Sequence, residues 1–375
     1  MSLSQTGSDI VREDLEFICS ALGEDYPAIK GKTVLITGGA GFLGYYLIKT
    51  LLAFNRTASF SDQIRVVVYD NFIRGIPDWF QSLEEESHVE IDARDITQPL
   101  PHDLVPVDYI IHAATIASPP LYRKYPIQTM DATVQGLRNI LDYSVRRKES
   151  GKPVEGILFF STSEIYGEPT SEKIPTPEDF TGRVSCTGPR ACYDESKRYG
   201  ETLCINFARE YGLPIRMVRP FNNYGPGLKI TDQRVIPDFA GDILNGRDIV
   251  LLSSGAPTRT FCYIADAIIG YYKVLLRGRD GEPYNIGTSE PEITMKELAD
   301  RMIRQARELF DYQGKVVRRV SEDDNYLVGN PNRRCPDITK ARTELGFNPV
   351  MDLDEGLRRA LCWYYENFQE EGRVE

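Results

Sequence analysis

Val34 to Gly44 read VLITGGAGFLG, an apolar run that leads into glycines spaced G-x-x-G-x-x-G. A strand that passes through such a turn into a helix is typical of sheets that bind dinucleotides. Glycine permits the tight turn and a close backbone approach to a pyrophosphate, and the start of the helix offers N–H donors and the positive end of a dipole. The cofactor-binding residues predicted from this stretch are Gly38, Gly41, Phe42, Leu43 and Gly44.

The next predicted strand ends in an acidic residue, Asp70, which Asn71 follows. An acid at this place accepts hydrogen bonds from an adenine ribose and repels a 2′-phosphate, so the pair is predicted to bind NAD rather than NADP. Arg74 follows closely and leaves NADP open, and a turn cap is the other interpretation of Asp70. Asp95 and Ile96 follow a further short strand, where they either border the adenine or belong to a solvated loop.

Short apolar runs alternate with helical stretches through the first 220 residues. The predicted strands are Thr33–Thr37, Ile64–Tyr69, Tyr109–His112, Gly156–Ser161 and Ile215–Arg219, and the predicted helices include Phe42–Phe54, Pro126–Glu149 and Tyr193–Tyr211. Continuous apolar strands that alternate with helices indicate a parallel sheet covered on both faces. The predicted fold class is therefore α/β, a doubly wound parallel Rossmann sheet with a smaller C-terminal α/β lobe.

An amphipathic pattern precedes the glycine turn. Residues 8–22 place apolar side chains near one helical face, and Ser8 can cap the helix. We predict that 1–30 form a helical extension packed on the main body.

The composition of the chain changes after Pro220, where loops rich in Pro, Gly and Asn begin. The later elements predicted are the strand Ile249–Leu252 and the helices Met295–Phe310 and Asp354–Asn367, with loops at the site over 183–190 and 321–336. The predicted domains are an NAD-binding domain over 31–220, to which 258–288 return, and a substrate lobe formed by 221–257 and 289–375.

Composition excludes several classes of function. The 375 residues carry a formal net charge of −11, and an acidic chain lacks the clustered Lys and Arg that nucleic acids require, so no nucleic-acid partner is expected. No apolar run approaches the roughly 18 residues of a membrane span, and the first 32 residues lack a secretory signal; we expect no membrane partner and a cytoplasmic location. The seven cysteines are scattered along the chain, which is typical of reduced thiols rather than of disulfides. The three histidines lack the spacing of metal ligands, so no metal site is predicted.

Tyr193 and Lys197 stand one helical turn apart, so their side chains share one face of the predicted helix. A phenol with its ordinary pKa of about 10 is a poor base at neutral pH. We predict that the Lys197 ammonium lowers the pKa of Tyr193 and also holds a nicotinamide ribose. Thr162, at the end of an apolar strand, is predicted to hydrogen-bond the same substrate hydroxyl. A tyrosine and a lysine at this spacing also occur by chance on solvated helices, and the upstream glycine turn argues for the catalytic interpretation.

Three stretches together resemble the extended short-chain dehydrogenases that modify nucleotide sugars. They are Thr37–Gly44 (TGGAGFLG), Ser161–Gly167 (STSEIYG) and the Tyr193–Lys197 pair, and the resemblance spans residues 31–367. Within that group, the sequence is similar to the UDP-glucuronic acid decarboxylases at 188–198 (GPRACYDESKR), 117–120 (ASPP), 232–236 (DQRVI) and 333–338 (RRCPDI). The resemblance implies a bound NAD, a nucleotide-sugar substrate such as UDP-glucuronate, and a homodimer joined through the helices at 126–149 and 193–211.

The resemblance also implies a mechanism. Tyr193 removes the C4 hydroxyl proton while a hydride passes to NAD⁺, and the resulting 4-ketone lets the C5 carboxylate leave as CO₂. Arg334 and Glu164 then protonate C5 or position the carboxylate, with Ser163 assisting, and the product is a UDP-4-keto-pentose or UDP-xylose. Arg333 competes for the role of Arg334, and Glu164 could instead cap a turn.

Further residues are candidates for binding the nucleotide sugar. Arginines suit its phosphates because the guanidinium fork forms paired hydrogen bonds. Asn222 could donate to the diphosphate or form a turn, and Tyr122 could flank the sugar or only pack. The predicted substrate-binding residues are Pro119, Tyr122, Asn222, Arg234, Arg259 and Arg334.

Related reactions remain open at this stage. Ser163 and Glu164 stand where the related 4,6-dehydratases carry an Asp-Glu pair, so the acid for water loss is missing, and the 4-epimerases carry small or apolar residues there. A nucleotide-sugar 4-epimerase is the first alternative and a 4,6-dehydratase the second. A non-catalytic NAD(H)-sensing protein is the third, and the joint presence of Thr162, Tyr193 and Lys197 argues against it.

Overall fold

The computed structural model describes residues 5–101, 104–323, 326 and 328–371. The strands are β1 (Thr33–Thr37), β2 (Arg65–Asp70), β3 (Val89–Ala93), β4 (Tyr109–His112), β5 (Gly156–Phe160), β6 (Ile215–Pro220), β7 (Asn223–Tyr224), β8 (Ile249–Leu251), β9 (Thr258–Arg259), β10 (Cys262–Tyr263), β11 (Pro283–Ile286), β12 (Ile293–Thr294), β13 (Val316–Arg318) and β14 (Arg333–Arg334). The α-helices are α1 (Gly7–Ala21), α2 (Phe42–Asn55), α3 (Asp78–Gln81), α4 (Pro119–Lys124), α5 (Pro126–Glu149), α6 (Ala191–Tyr211), α7 (Val235–Leu244), α8 (Ile264–Arg277), α9 (Met295–Phe310), α10 (Thr339–Leu345) and α11 (Leu353–Glu371). Within the described ranges, no helix combines the length and the apolar composition that crossing a membrane would need.

Seven strands form one parallel sheet in the order β11-β6-β5-β4-β1-β2-β3. Successive residues of a strand point to opposite faces, and both faces of this sheet are covered. Along β1, Val34 and Ile36 join a core that includes side chains of α2 and α8, whereas Leu35 joins a second core with side chains of α5 and α6. The predicted fold class, a doubly wound parallel sheet, is confirmed.

The strand order reverses at β1, which pairs with β2 on one side and with β4 on the other. In open α/β sheets the ligand binds beyond the carboxyl ends of the strands at such a reversal. Thr37 ends β1 and lies beside His112, the buried last residue of β4, with 2.8 Å between the threonine hydroxyl and Nδ1. His112 therefore packs at the strand end.

Helix α1 is present, but Ser8 does not cap it, which corrects the sequence prediction. The helix starts at Gly7, and Thr6 is its N-cap: the Thr6 hydroxyl accepts from the backbone N–H of Asp9 at 3.0 Å. The Asp9 carboxylate in turn accepts from the backbone N–H of Thr6 at 3.3 Å, which completes a capping box. Ser8 lies inside the helix because the reciprocal pair on either side of it satisfies the terminal N–H groups.

The chain after Pro220 adds short strands and helices at the carboxyl end of the sheet. β9 pairs with β12 and β14, β8 pairs with β13, and β11 returns to the edge of the large sheet beside β6. The helices α7, α8 and α10 were not predicted, and β14 lies inside the expected loop at 321–336. Pairing of β14 with β9 brings Arg334 to the site.

Candidate active site

A cavity of about 760 Å³ opens at the strand reversal. It is lined by the glycine turn after β1, by the ends of β2, β4 and β5, by the start of α6, and by residues 227–239 and 250–261. Every predicted cofactor residue lines it: Gly38, Gly41, Phe42, Leu43, Gly44, Asp70, Asn71, Asp95, Ile96, Tyr193 and Lys197.

The glycine turn is shaped for a phosphate group. Gly38 has a φ of +75°, and a Cβ there would lie 2.8 Å from the backbone of Ala114. A Cβ on Gly44 would lie 2.2 Å from the carbonyl oxygen of Gly39, so any side chain would push the helix off the turn. Gly41, which has no side chain to cap the helix, precedes Phe42, and the N–H groups of the first turn are therefore available to an anion.

Asp70 both braces the turn and lines the cavity. Its carboxylate accepts from the backbone N–H of Ala40 at 3.0 Å and from that of Phe72 at 2.8 Å. Burial raises the pKa of Asp70, and these backbone donors oppose the rise. The capping and ribose-binding interpretations of the sequence are thus compatible, because one carboxylate can serve the turn and face the cavity.

Arg74 is bound to a residue of the other side of the cavity. Its guanidinium donates to the buried carboxylate of Asp232 at 2.9 Å, and Lys229 donates to the Arg74 carbonyl at 3.2 Å. This pairing favours NAD, since it turns the guanidinium away from the role of a 2′-phosphate ligand. It also ties two segments that line the cavity to each other.

Asp95 and Ile96 lie at the cavity wall after β3. The Asp95 carboxylate accepts from the backbone N–H of Thr97 at 2.9 Å, whereas the Ile96 side chain is buried. The Asn139 amide donates to the Ile96 carbonyl at 2.9 Å and anchors this loop on α5.

Tyr193 and Lys197 lie together on the buried face of α6. The Tyr193 ring stacks on Tyr122, with 5.1 Å between centroids and 7° between planes, and its hydroxyl is hydrogen-bonded with Thr162. Lys197 Nζ donates to the carbonyl of Phe160 at 2.5 Å and lies 6.0 Å from the centroid of the Tyr193 ring. The predicted trio Thr162, Tyr193 and Lys197 therefore meets at one point of the cavity wall.

The titration of this pair differs from the sequence prediction. Burial raises the pKa of Tyr193 to about 12, although the hydrogen bond with Thr162 and the charge of Arg234 oppose the rise. Burial also lowers the pKa of Lys197 to about 7. The predicted lowering of the Tyr193 pKa by Lys197 is not found in the protein alone, where desolvation dominates and Lys197 is not among the main influences.

A second cluster surrounds Glu164. Its Oε2 accepts from both Arg190 and Arg334, the latter at 2.8 Å, and Arg334 also donates to the Ser163 hydroxyl at 3.0 Å. Arg333 points outward and pairs with Glu292 at 2.6 Å. Of the two neighbouring arginines, Arg334 is thus the one at the site, although it acts from behind Glu164 rather than lining the cavity.

The charge state of Glu164 follows from these contacts. Burial alone would raise its pKa, but Arg190, Arg334 and Arg259 outweigh burial and hold the pKa below the ordinary value. Glu164 is therefore a carboxylate at neutral pH. The turn-cap interpretation is wrong for its side chain, since Thr162 caps this turn by accepting from the Glu164 N–H at 3.2 Å.

The predicted substrate residues Pro119, Tyr122, Asn222, Arg234 and Arg259 line the cavity. Arg234 pairs with Asp232 at 2.8 Å. The Asn222 amide donates to the Thr260 carbonyl at 2.8 Å, in line with its turn-forming interpretation.

Arg259 is turned toward the loop at 330–332. It donates to the Asn330 side chain at 3.0 Å and to the Pro331 carbonyl at 2.6 Å. Burial and the neighbouring Arg334 lower its pKa to about 10. Arg259 therefore holds this loop at the edge of the cavity while it contributes positive charge there.

Sequence reasoning missed Arg190, Asp194 and Asp232 as site residues. Arg190 lines the cavity and contacts Glu164, and its Nε lies 3.6 Å from the Asp194 carboxylate. A signal was present for the first two, because they flank Tyr193 at the start of the same helix. Asp232 lies in the stretch 232–236 that carries the family resemblance, but its pairing with Arg74, 158 residues away, follows only from the fold.

Comparisons with known proteins agree with this geometry. Residues 34–287 match the NAD dependent epimerase/dehydratase family. UDP-glucuronic acid decarboxylase 5 of Arabidopsis thaliana is 37% identical over 326 residues, which cover 86% of each chain. UDP-glucuronic acid decarboxylase 1 of Xenopus tropicalis is 33% identical over 365 residues, 96% of this chain and 80% of that protein. Among solved structures, the dTDP-glucose 4,6-dehydratase DesIV from Streptomyces venezuelae, with NAD and TYD bound, is 26% identical with a TM-score of 0.77 over 92% of this chain and 100% of that one.

Proposed function

The chain belongs to the NAD dependent epimerase/dehydratase family, and we propose that it is an NAD-dependent carboxy-lyase that oxidises UDP-glucuronate at C4 and releases its carboxylate as CO₂. The observation that carries the proposal is the adjacency of two clusters. The Thr162–Tyr193–Lys197 group suits alcohol oxidation, and the Ser163–Glu164–Arg334 group lies beside it. Relatives at 37% and 33% identity named UDP-glucuronic acid decarboxylase support the substrate.

The residues that would hold NAD fit the group by their shape. The turn at Gly38 and Gly44 excludes side chains and leaves the N-terminus of α2 open toward the cavity, and Asp70 lines the neighbouring wall. When bound, NAD⁺ supplies an acceptor for the hydride that leaves C4 of the sugar. Lys197 would hold the nicotinamide ribose from the face of α6.

Oxidation requires that the C4 hydroxyl lose its proton. Tyr193 is the proposed base, and Thr162 shares the same hydroxyl and fixes the phenol by a hydrogen bond. Stacking on Tyr122 holds the ring in place. Only the phenolate of Tyr193 can accept this proton, so its pKa of about 12 in the protein alone has to be lower in the complete site, where the positive charge of bound NAD⁺ would act on it.

Decarboxylation follows from the position of the ketone. A ketone at C4 is β to the C5 carboxylate, so the C5–C6 bond breaks, CO₂ leaves, and the electron pair enters an enolate across C4 and C5. Glu164 is an anion and cannot supply the proton that C5 then takes up. It positions the reacting groups, Arg334 holds it from behind, and C5 takes its proton from water in the cavity. The product is a UDP-4-keto-pentose, or UDP-xylose if the ketone is reduced again.

We also propose that the protein forms a homodimer through α5 and α6. These helices pack on each other and carry exposed apolar side chains, Ile127 and Met130 on α5 and Tyr199 and Tyr211 on α6. Exposed apolar patches are typical of protein interfaces. Sedimentation should give twice the mass of one chain, and Met130→Glu should shift it to the monomer.

The reaction is tested by incubating the protein with NAD⁺ and UDP-glucuronate and measuring the product by mass spectrometry. We expect a product lighter than the substrate by the mass of CO₂. A product of unchanged mass would indicate a 4-epimerase, and loss of water a 4,6-dehydratase. Either result would refute the proposal.

A further inference from the structure

Arg190 stands at the entrance of α6, three residues before Tyr193, and no step of the proposed mechanism uses it. Its side chain is largely buried and lines the cavity. It contacts the Glu164 carboxylate, lies 3.6 Å from Asp194, and has its guanidinium 5.9 Å from the centroid of the Tyr122 ring. A buried guanidinium with two acidic neighbours at a reaction site calls for a functional explanation.

The two arginines at Glu164 bind the same oxygen. Arg190 from α6 and Arg334 from β14 both donate to Oε2, and Oε1 takes part in neither bond. Donors from two separate elements fix the place of this oxygen. Without Arg190, Glu164 would be held from one side only.

The charges of the cluster complement a single carboxylate. The cluster holds three guanidinium groups and two acidic side chains, and it keeps one net positive charge when both acids are ionised. The groups are those of Arg190, Arg259 and Arg334, with Glu164 and Asp194. The titratable and charged groups that face Glu164 are Tyr122, Arg190, Tyr193, Asp194, Arg259 and Arg334. After burial, Arg190 has the largest influence on the pKa of Glu164 and lowers it. Burial and the charge of Glu164 raise the pKa of Asp194 to about 7.

Resting on the proposed function, we propose that Arg190 is a positioning residue of the decarboxylation step, which keeps Glu164 ionised and fixed in place beside the carboxylate of the substrate. A guanidinium suits this role because one nitrogen binds Glu164 while another lies 3.6 Å from Asp194, whereas a lysine presents a single ammonium. Arg190 acts through Glu164 and takes no part in the oxidation at C4.

The test compares Arg190→Gln and Arg190→Lys with a matched control, Arg333→Gln, which removes an exposed arginine paired with Glu292. For each variant, reduction of NAD⁺ and release of CO₂ from UDP-glucuronate are measured in single turnover across the pH range. In Arg190→Gln we expect CO₂ release to fall about 10- to 100-fold while oxidation stays within about threefold. The control should match the wild type in both steps.

The pH profile separates positioning from a structural role. The pKa of Glu164 is lowered in the wild type, so CO₂ release is retained above that pKa and lost as the pH falls through it. Loss of the Arg190 charge should move this acid limb upward by about 1 to 3 pH units. Arg190→Lys keeps a charge and should move it by less, while CO₂ release remains slower than in the wild type.

Two results would overturn the inference. One is an acid limb that stays in place in both variants, and the other is an equal loss of oxidation and CO₂ release, which would indicate a merely structural arginine. If the wild type itself releases no CO₂, the proposed function fails and the role of Arg190 falls with it. If the wild type releases CO₂ but the acid limb is shifted in neither variant, the role of Arg190 is refuted and the proposed function stands.

Discussion

Replacing Tyr193 by phenylalanine removes one oxygen atom and leaves the surrounding packing in place. The ring stack on Tyr122, at 5.1 Å and 7°, does not need the hydroxyl, and the hydroxyl is hydrogen-bonded with Thr162. Loss of one such bond costs about 1 kcal/mol of stability. We therefore expect the variant to fold, with a free energy of unfolding within about 1.5 kcal/mol of the wild type.

The effect of Tyr193→Phe on turnover should be far larger. A phenol with a pKa of about 12 costs about 7 kcal/mol to ionise at pH 7, so Tyr193 can act as the base only if the complete site lowers that pKa. A positioned base contributes about 10²- to 10⁴-fold, or about 3 to 5 kcal/mol of barrier.

The assay follows NAD⁺ reduction by absorbance in a single turnover with UDP-glucuronate. The control variant is Tyr365→Phe, which changes an exposed tyrosine of α11. Tyr365→Phe should keep the wild-type rate. Turnover of Tyr193→Phe within tenfold of the wild type, with normal folding, would refute Tyr193 as the base.

Three further perturbations test other parts of the site. Glu201→Ala removes the carboxylate that holds the buried guanidinium of Arg219 by two bonds of 2.8 and 2.7 Å, so chemical denaturation should show a loss of stability of about 3 to 5 kcal/mol. A loss below about 1 kcal/mol would contradict the pairing. Asp232→Asn weakens the ion pair with Arg74 across the cavity. In a stopped-flow displacement, NAD should dissociate at least about tenfold faster, which is equivalent to about 1.4 kcal/mol. An unchanged rate would show that this ion pair does not retain the cofactor. Gly44→Ala places a Cβ 2.2 Å from a carbonyl oxygen of the turn. Calorimetry should therefore detect no NAD binding at concentrations that saturate the wild type. An affinity equal to that of the wild type would contradict the predicted turn.

The elements that local sequence determines were predictable. The glycine turn and the flanking strand and helix are specified by neighbouring residues, and the strand Thr33–Thr37 and the helix Pro126–Glu149 have the predicted bounds. Tyr193 and Lys197 meet because one helical turn separates them, which any helix would ensure. The N-cap of α1 was misplaced by two residues because Ser8 and Thr6 are both good caps, and the reciprocal contact with Asp9 selects Thr6.

The contacts that join distant segments could not be predicted from local patterns. Arg334 meets Ser163 across 171 residues of sequence, and only the resemblance to a family suggested it. The pairing of β14 with β9 that delivers Arg334 involves two residues per strand, too short a run to leave a periodic signal. The pKa of Lys197 depends on complete burial rather than on its spacing from Tyr193, and burial is a property of the folded chain.

The most direct test of the mechanism uses UDP-glucuronate that carries deuterium at C4 and ¹³C in the carboxylate, in a single turnover with enzyme-bound NAD⁺. If oxidation at C4 precedes decarboxylation, deuterium is found on the nicotinamide no later than labelled CO₂ appears, and Tyr193→Phe suppresses both signals together. Release of labelled CO₂ while the deuterium has never left the sugar would contradict oxidation at C4 as the step that permits decarboxylation.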